Sequence, residues 1–461
     1  MNMHKIILTI ACLQSVIAFS TSAFDVRRTC SPALLYSMMD LSEKDRHVKA
    51  AFFATGSFDS RHIASAITIS GKPYFTLSEQ GSSTSLIVDG DMSPKWFGLT
   101  TTNQDYKSVV ELNPQIRSYG MLLHFYKKSE HYFVNIQSAL LECRTHLKIL
   151  ETILSGTFTS DRAVTTFQSA MNQSDWKYGK MGSEQKKIGL ENIQLQLGMF
   201  LGDVAHSNCV LAVSTFVEIP TGKGTKAEWA FEPRVGSNHF GVGFGFDDYF
   251  KNETNQFVFG ANYRYFFAAT EKRSFDLKNN PWSRYMSVIS IPTAVGTLGA
   301  VSAGINALTL DAKVHPGHQL NSYMRWSKKW ESVAFELGYN FFLKSKEKIS
   351  DTANFASEFG VCNLADSNGS TGNGMKINTN LTLPDTFIQN KMAQDIGVAI
   401  VKEDLDLKSA AVGTQAVSSV AARLEYCKDS MRLGIGGSVE AAHSKAAYAA
   451  WNCWMNVAVL F

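Results

Sequence analysis

The stretch WNCWMNVAVLF, Trp451–Phe461, alternates between two kinds of position along its whole length. Counted back from Phe461, every second residue as far as Trp451 is apolar, whereas the positions between them include Asn452 and Asn456. Successive side chains of an extended chain point to opposite faces, so this pattern predicts a β-strand with one apolar face. The stretch alone leaves open whether that face meets a protein core or lipid.

The same alternation recurs upstream in HFGVGFGF (239–246), QFVFGANYRYFF (256–267) and SVAFELGYNFFL (332–343). Their apolar faces are rich in Phe and Tyr, and the opposite faces carry Arg, Glu, Asn and Gly. Segments of about ten residues are long enough for a tilted strand to cross a bilayer. Lipid cannot hydrogen-bond to free sheet edges, so spanning strands must close into a barrel. We therefore predict an all-β protein, a closed antiparallel transmembrane β-barrel.

The number of strands follows from counting alternating segments, which gives fifteen candidates. Single-chain bacterial barrels have even strand numbers, so we predict about 14 strands, within a range of 12–16. Short helices are expected in loops or in the lumen, at 31–44, 91–99 and 160–173. The candidate strands are 46–56, 61–70, 105–115, 116–127, 131–141, 187–202, 206–219, 238–250, 255–269, 282–291, 318–328, 330–345, 412–428, 430–443 and 446–461.

The beginning of the chain has the pattern of a secretory signal. Lys5 precedes an uncharged, mostly apolar run over 6–19, and the small residues Thr21 to Ala23 follow. A run this short favours a cleaved signal peptide at 1–23 over a membrane anchor. We assign 24–45 to an N-terminal periplasmic or luminal segment and 46–461 to the barrel. Within the barrel, the Asn-, Gly-, Ser- and Thr-rich stretch 351–390 is expected to be a long exposed loop.

The composition, with 18% charged residues and a formal net charge of +3, gives no reason to expect a nucleic-acid partner. Six cysteines remain once the signal is removed, and export makes disulfides possible. Their pairing cannot be read from the sequence, and unpaired thiols are an equal alternative. Met286 to Leu310 contains no charged residue, which leaves a transmembrane helix there as a further alternative.

Motifs for chemistry are weak in this sequence. It contains no H-E-x-x-H, G-x-S-x-G or C-x-x-C motif, and His315 and His318 of HPGH are too few to hold a metal by themselves. We therefore expect no enzyme activity, no catalytic or metal residue and no cofactor.

Charged residues on the predicted inward faces are the candidate functional residues, because charges in a lumen set the selectivity of a pore. These possible pore-lining residues are Arg264, Glu336, Arg423, Glu425, Arg432 and Glu440. A structural role in ion pairs of the barrel wall is the alternative. At the end of the chain we expect a C-terminal insertion signal formed by Phe461, Val459, Val457 and Met455.

Several stretches resemble a little-characterised group of large outer-membrane β-barrel proteins of intracellular bacteria. They are SPKWFGL (93–99), GLENIQLQLGMFLGDV (189–204), VEIPTGKGTKAEWAFEPRVGSNHFGVGFGFD (217–247), KRSFDLKNNPWSRYM (272–286) and VAFELGYNFFLKSKEKI (333–349). The resemblance implies a porin-like Gram-negative outer-membrane barrel, and it supplies no binding residues.

Together these observations predict a cell outer-membrane channel that passes small solutes. Its expected partners are outer-membrane lipid, the barrel-insertion machinery and the solutes, and a homo-oligomer is possible. One alternative is a barrel that resembles fatty-acid transporters and takes hydrophobic substrates. Another is a surface adhesin that uses loops such as 351–390.

Overall fold

The computed structural model describes most of the chain from Arg46 to Phe461. Segment 1–45 lies outside the described residues, and so does nearly all of the predicted loop 351–390. The predicted signal peptide, the 24–45 segment and the 31–44 helix therefore lie outside the described residues. The gaps within 46–461 are 59, 69–70, 83–84, 88–90, 93, 98, 100, 101–105, 156–163, 183, 203–207, 253, 279, 291–300, 353–358 and 361–399.

Among the described residues, twelve antiparallel strands form a closed barrel in which each strand pairs with its neighbours in chain order. The barrel closes where the first strand pairs with the last, with His47 opposite Leu460 and Ala50 opposite Val457. Closure leaves no free edge in the barrel wall, as a lipid environment requires. The strands are β1 (Arg46–Ser57), β2 (Tyr106–Lys128), β3 (Tyr132–Ser155), β4 (Ile193–Leu201), β5 (Cys209–Ile219), β6 (Gly241–Lys251), β7 (Asn255–Phe266), β8 (His318–Trp330), β9 (Val333–Lys344), β10 (Gln415–Lys428), β11 (Met431–Ala442) and β12 (Ala450–Leu460).

The closed antiparallel barrel is as predicted, and the part of the chain that the structure describes supplies twelve barrel strands, at the lower limit of the predicted range. Candidates 105–115 and 116–127 form one continuous strand, β2. The described residues of candidate 282–291 form a 3-10 turn, Ser283–Tyr285, and the short strand Ser287–Ser290, which pairs outside the barrel. Candidate 61–70 is instead helix α1 (Ser60–Ile67). In α1 the adjacent residues Ile63 and Ala64 are both buried, which a strand could not achieve on one face.

The two ends of the barrel differ in the length of their connections. At one end, called the turn end, the segments 129–131, 202–208, 252–254, 331–332 and 429–430 join the strands, and both β1 and β12 have their outer termini there. At the other end, called the loop end, the connections are 58–105, 156–192, 220–240, 267–317, 345–414 and 443–449. Nearly all of the structure outside the barrel therefore lies at the loop end.

The described residues of the five long loop-end connections form what we call the cap. It contains a three-stranded sheet of Ala269–Ser274, Thr309–His315 and Lys348–Thr352, and a second one of Ser287–Ser290, Val301–Ala303 and Phe359–Gly360. Three further strands extend the sheet of the barrel wall: Tyr74–Ser82 pairs with β2, Ser85–Ile87 pairs with Tyr74–Ser82, and Glu184–Leu190 pairs with β3. The cap helices are α1, α2 (Phe167–Ala170) and α3 (Gly304–Ala307).

The cap has an apolar core of its own. Phe75 and Phe167 meet edge to face at 5.2 Å between ring centroids, and Trp176 stacks on Tyr285 at 6.0 Å. This core is continuous with apolar side chains inside the loop end of the barrel, among them Trp454. The cap is thus packed onto the barrel rather than connected to it only by the chain.

The predicted helices have mixed outcomes. Within 91–99 the described residues Pro94–Phe97 form a single 3-10 turn, as expected. Within 160–173 the described helix is only Phe167–Ala170, which Thr166 caps; residues 160–163 lie outside the described residues.

The apolar stretch 286–310 is described only at its two ends, which contain short strands and α3. None of the described helices is both long and apolar enough to cross a membrane. Among the described cysteines, Cys143, Cys209, Cys427 and Cys453 are free thiols. His315 and His318 make separate hydrogen bonds, to Ser350 and Tyr263.

Candidate functional site

Alternation along each strand separates two surfaces of the barrel, as the sequence predicted. On β12 the side chains of Trp451, Met455 and Val459 are exposed on the outside, whereas Asn452 and Asn456 are buried on the inside. Outward positions of the other strands carry Phe52, Leu123, Phe244, Phe259, Leu337, Leu424 and Ile435, all exposed. An apolar exterior around a polar interior is the reverse of a water-soluble barrel and is typical of a barrel in a membrane.

The candidate site is the barrel lumen, where four of the predicted charged residues form one ion-pair network. Arg423 lies directly across from Glu336 in the pairing of β9 with β10. The Nε atom of Arg423 is 2.9 Å from Oε2 of Glu336, and its Nη2 atom is 2.8 Å from Oε2 of Glu425. Arg432 reaches the same Glu425 oxygen at 4.0 Å.

A fifth member of this network, Arg325 on β8, was not predicted. Its Nη1 atom is 3.5 Å from Oε1 of Glu336. Two carboxylates therefore face three guanidinium groups, and Lys49 of β1 is also buried in the lumen. Both residues could have been predicted to face the lumen from the alternation in β1 and β8, because Lys49 and Arg325 occupy inward positions of their strands.

The two remaining predicted residues, Arg264 and Glu440, lie inside the barrel but outside this network. Arg264 pairs through Nη1 with Oε1 of Glu218 at 2.6 Å. Glu440 accepts a hydrogen bond from Nδ2 of Asn452 at 3.2 Å. All six predicted residues thus face the lumen, and the structure brings only four of them together.

Neutral polar side chains form a ladder on the wall opposite the ion-pair network. Nδ2 of Asn135 donates to Oε1 of Gln196 at 2.9 Å, and Nε2 of Gln196 donates in turn to the hydroxyl of Ser214 at 3.1 Å. Nε2 of Gln137 donates to Oε1 of Gln194 at 2.8 Å. These hydrogen bonds lower the cost of burying the amides, although Oδ1 of Asn135, Oε1 of Gln137 and Nε2 of Gln194 have no hydrogen-bond partner among the described residues. The ladder is therefore a hydrophilic surface.

An aromatic cluster occupies the lumen between these walls, toward the turn end. Phe133 lies 5.2 Å from Phe200 and 5.9 Å from Tyr126 between ring centroids. Tyr249 and Tyr323 belong to the same cluster, and the Tyr323 hydroxyl hydrogen-bonds to Asp247. Tyr249 and Tyr323 of the cluster and Arg423 and Glu425 of the network are all buried, so the inward side chains of the described barrel are packed at this level.

Inward glycines make room for these side chains rather than leaving open space. A Cβ on Gly436 would lie 2.5 Å from Cζ2 of Trp454, and one on Gly260 would lie 2.7 Å from Cζ of Tyr323. Alternation along a strand shows which face each glycine lies on, but not which neighbouring side chains occupy the volume beside it. In this conformation the lumen is packed.

A buried ion-pair chain connects the lumen's loop end with the cap. Glu271 of the cap pairs with Arg234 and, at 2.6 Å, with Nη2 of Arg273. Arg273 also reaches Oε2 of Glu347 at 3.2 Å, and Glu347 pairs with Lys344 of β9 at 3.6 Å. Burial alone would raise the pKa of Glu271, but the positive charges of Arg234 and Arg273 outweigh it and hold that pKa well below its usual value.

The residues of the predicted insertion signal lie on the outer surface at the seam. Phe461, Val459 and Met455 are exposed there, and the backbone N–H of Phe461 donates to the carbonyl of Arg46 at 3.0 Å. Their position on the lipid-facing side agrees with the alternation. Their role in insertion stays a prediction.

Comparisons with known proteins give only remote likenesses. No family model matches the sequence, and no curated protein matches it. A solved outer-membrane channel from Pseudomonas putida F1 has 8% identity and a TM-score of 0.40, covering 92% of this chain and 100% of that one. The translocator domain of the autotransporter NalP from Neisseria meningitidis has 9% identity and a TM-score of 0.32, covering 93% of each chain.

A Pseudomonas aeruginosa FadL homologue is similar at 7% identity and a TM-score of 0.32, covering 91% of each chain. Likenesses this weak support no inference about function, and the resemblance to barrels of intracellular bacteria stays a prediction. The fold and the two surfaces of the barrel define the class by themselves. The chain is a β-barrel of the outer-membrane type, with a polar, packed lumen and a cap at its loop end.

Proposed function

We propose that this protein is an outer-membrane channel for small polar solutes whose lumen is closed in the conformation described here. The observation that carries the proposal is the polar inner wall, formed by the ion-pair network on one side and the amide ladder on the other. Charged and amide groups along a passage favour solutes that exchange water for hydrogen bonds. Opening requires the aromatic cluster or the cap to move.

The proposal includes a role for the predicted charges in selecting solutes. The excess of guanidinium groups over carboxylates in the network favours anions on that side of the lumen. The predicted partners, which are outer-membrane lipid, the insertion machinery and small solutes, belong to the same proposal, as do the absence of enzyme activity and the possible homo-oligomer.

Conductance of the purified protein in planar bilayers tests the channel. Tyr249 is 1% exposed in the lumen cluster, and its neighbour Phe250 is 46% exposed on the outer surface. We expect Tyr249→Ala to raise the single-channel conductance, because it removes a ring from the packed cross-section. Phe250→Ala is the matched control and should leave conductance at the wild-type value. A barrel that inserts but stays non-conducting in both variants would refute the proposal.

The reversal potential under a KCl gradient tests the role of Arg423. Arg423→Gln removes one positive charge from the network, so we expect the reversal potential to shift toward cation preference. An unchanged reversal potential in a conducting variant would leave Arg423 with a structural role only.

A second candidate function is the transport of a hydrophobic substrate. It is favoured by the continuous apolar core that extends from the cap into the loop end of the barrel, through Phe53, Leu122 and Trp454. Lipid or hydrocarbon that copurifies with the protein and is displaced by Trp454→Asp would favour this candidate. The adhesin alternative depends mainly on 351–390, nearly all of which lies outside the described residues.

A further inference from the structure

Three neighbouring strands carry a row of positive charges on the outer surface near the loop end. In the pairing of β2 with β3, Arg117 lies directly opposite Arg144. In the pairing of β3 with Glu184–Leu190, Arg144 lies directly opposite Lys186. We call Arg117, Arg144 and Lys186 the cationic row. Like charges directly opposite each other destabilise a sheet, so their alignment calls for an anionic partner.

Carboxylates of the chain neutralise this row only in part. Oε1 of Glu142 is 2.5 Å from Nε of Arg144, and its Oε2 is 2.6 Å from Nζ of Lys186. Glu184 reaches Arg144 more distantly, at 3.5 Å. Arg117 is exposed and has no ion pair among the described residues of the chain. The row therefore keeps an excess of positive charge at a surface open to the surroundings.

The level of the row coincides with the end of the apolar exterior. On β2 the outward residues Leu123 and Tyr119 are exposed and apolar or aromatic, and the next outward residue toward the loop end is Arg117. On β3 the outward positions from Tyr132 to Leu140 are apolar or aromatic except Ser138, and Glu142 and Arg144 follow toward the loop end. Nine residues of a tilted strand, the span from Tyr132 to Leu140, match the roughly nine to eleven residues that cross the hydrocarbon of a bilayer.

The strand Glu184–Leu190 changes from apolar to charged outward residues at the same level. Its residues Leu190 and Ile188 are exposed and apolar, and the next outward residue toward the loop end is Lys186. The cationic row thus lies where hydrocarbon gives way to lipid headgroups. Adjacent strands are about 4.8 Å apart, so the three side chains extend over about 10 Å, the scale of one headgroup with its phosphates.

We infer that the cationic row binds the phosphate groups of a lipid in the leaflet at the loop end. Arginine and lysine are suited to this ligand, since guanidinium groups bind phosphate oxygens in pairs and lysine adds a mobile charge. Tyr119 lies beside Glu142 below the row, at the depth where aromatic side chains border the apolar band. The inference rests on the proposed membrane location and adds a specific lipid site to it.

Native mass spectrometry of the detergent-solubilised full chain tests the site, with the diphosphorylated glycolipid lipid A as the probe and phosphatidylethanolamine as the comparison lipid. We expect the wild-type protein to retain lipid A in preference to phosphatidylethanolamine. The triple variant Arg117→Gln, Arg144→Gln, Lys186→Gln should lower the lipid A-bound fraction by about tenfold or more, because several basic side chains act on the same headgroup. Millimolar inorganic phosphate should not displace the lipid; displacement would indicate a general anion site and overturn the inference.

A matched control removes the same charge at the other end of the barrel. Lys127→Gln, Lys251→Gln and Lys428→Gln together take three exposed lysines from the turn end, and lipid A binding should stay at the wild-type level. An equal loss in this control would show a general effect of net charge and would overturn the inference.

Glu142→Gln gives a prediction of opposite sign. It releases Arg144 and Lys186 from their shared carboxylate, so the lipid A-bound fraction should increase, whereas damage to the fold would lower it. Unchanged or reduced binding in a folded Glu142→Gln protein contradicts the site. The proposed channel is judged separately: a protein that conducts but does not prefer lipid A defeats only this inference, and one that does not insert into bilayers defeats the proposed function.

Discussion

Glu336 holds two guanidinium groups in the lumen, those of Arg325 and Arg423. Its Oε2 atom lies close to Arg423 without the alignment of a hydrogen bond, so the contact acts mainly through charge. The inward position of Glu336 and Arg423 could be predicted from their own strands. Their pairing could not, because it depends on the register between β9 and β10.

We expect Glu336→Gln to lower the free energy of unfolding by about 3 kcal/mol, because removing one partner leaves buried positive charges without compensation. Urea unfolding in lipid vesicles measures this change. In the double variant with Arg423→Gln the loss should be smaller than the sum of the two single losses. Additive losses would show that the two residues do not interact.

Glu271 should make the cap sensitive to acid. Its pKa in the folded protein is held well below its usual value, so its stabilising contribution is present above that usual value and is lost as the pH falls toward the folded pKa. We expect Glu271→Gln to destabilise the cap at neutral pH and to flatten its stability profile below about pH 4.3, the ordinary pKa of a glutamate. Fluorescence of the cap residues Trp176 and Trp282 between pH 7 and 3 is the measurement. A profile as steep as that of the wild-type protein would rule out this role.

Among the secondary-structure elements, alternation identifies a strand reliably only when the segment is long. Nine of the ten barrel strands other than β2 and β3 were each predicted as a single element close to their observed position. Candidate 187–202 merged β4 with the separate strand Glu184–Leu190. β2 and β3 extend past the barrel into the cap. The prediction therefore divided β2 into two strands, and it ended β3 at residue 141, well before Ser155. In a segment as short as α1, the apolar residues fit the spacing of a strand as well as that of a helix. Contacts with other elements then determine which of the two forms. His62 of α1, for example, lies 2.8 Å through Nε2 from the carbonyl of Ser444.

Gly436 and Gly437 of β11 are adjacent but lie on opposite surfaces of the barrel, so they allow the packing on the two surfaces to be compared. A Cβ on the inward Gly436 would overlap Trp454, whereas a Cβ on the outward Gly437 would approach only the carbonyl of Asn452, at 3.2 Å. We expect Gly436→Ala to cost about 1–3 kcal/mol of unfolding free energy and Gly437→Ala less. Chemical unfolding of both variants decides, and equal effects would mean that the lumen is not tightly packed at Trp454.

At the scale of the whole molecule, closure depends on pairing the two ends of the described chain. β1 and β12 form the seam, and β12 ends where the backbone of Phe461 bonds to Arg46. A barrel cannot close before this last strand is in place. The apolar side chains at the end of β12 are therefore suitably placed for recognition during assembly.

We expect Phe461→Ser to reduce the amount of folded barrel in the outer membrane of cells more than Met431→Ser does. Met431 is an outward apolar residue at the same end of the neighbouring strand β11, so it controls for the loss of lipid contact. Heat-modifiable migration on gels measures the folded fraction in cells. Equal reductions would show that Phe461 contributes lipid contact and no insertion signal.

Alternation within single strands was enough to predict the class of fold and the two surfaces of the barrel. A strand's side chains alternate whatever it pairs with, so the outward position of Met455 and the inward position of Glu425 follow from local geometry alone. Only the tertiary structure decided that there are twelve strands, that Arg423 lies between two carboxylates, and that the lumen is packed. These depend on register and on the volumes of side chains distant in sequence, such as Trp454 beside Gly436, which a single strand cannot specify.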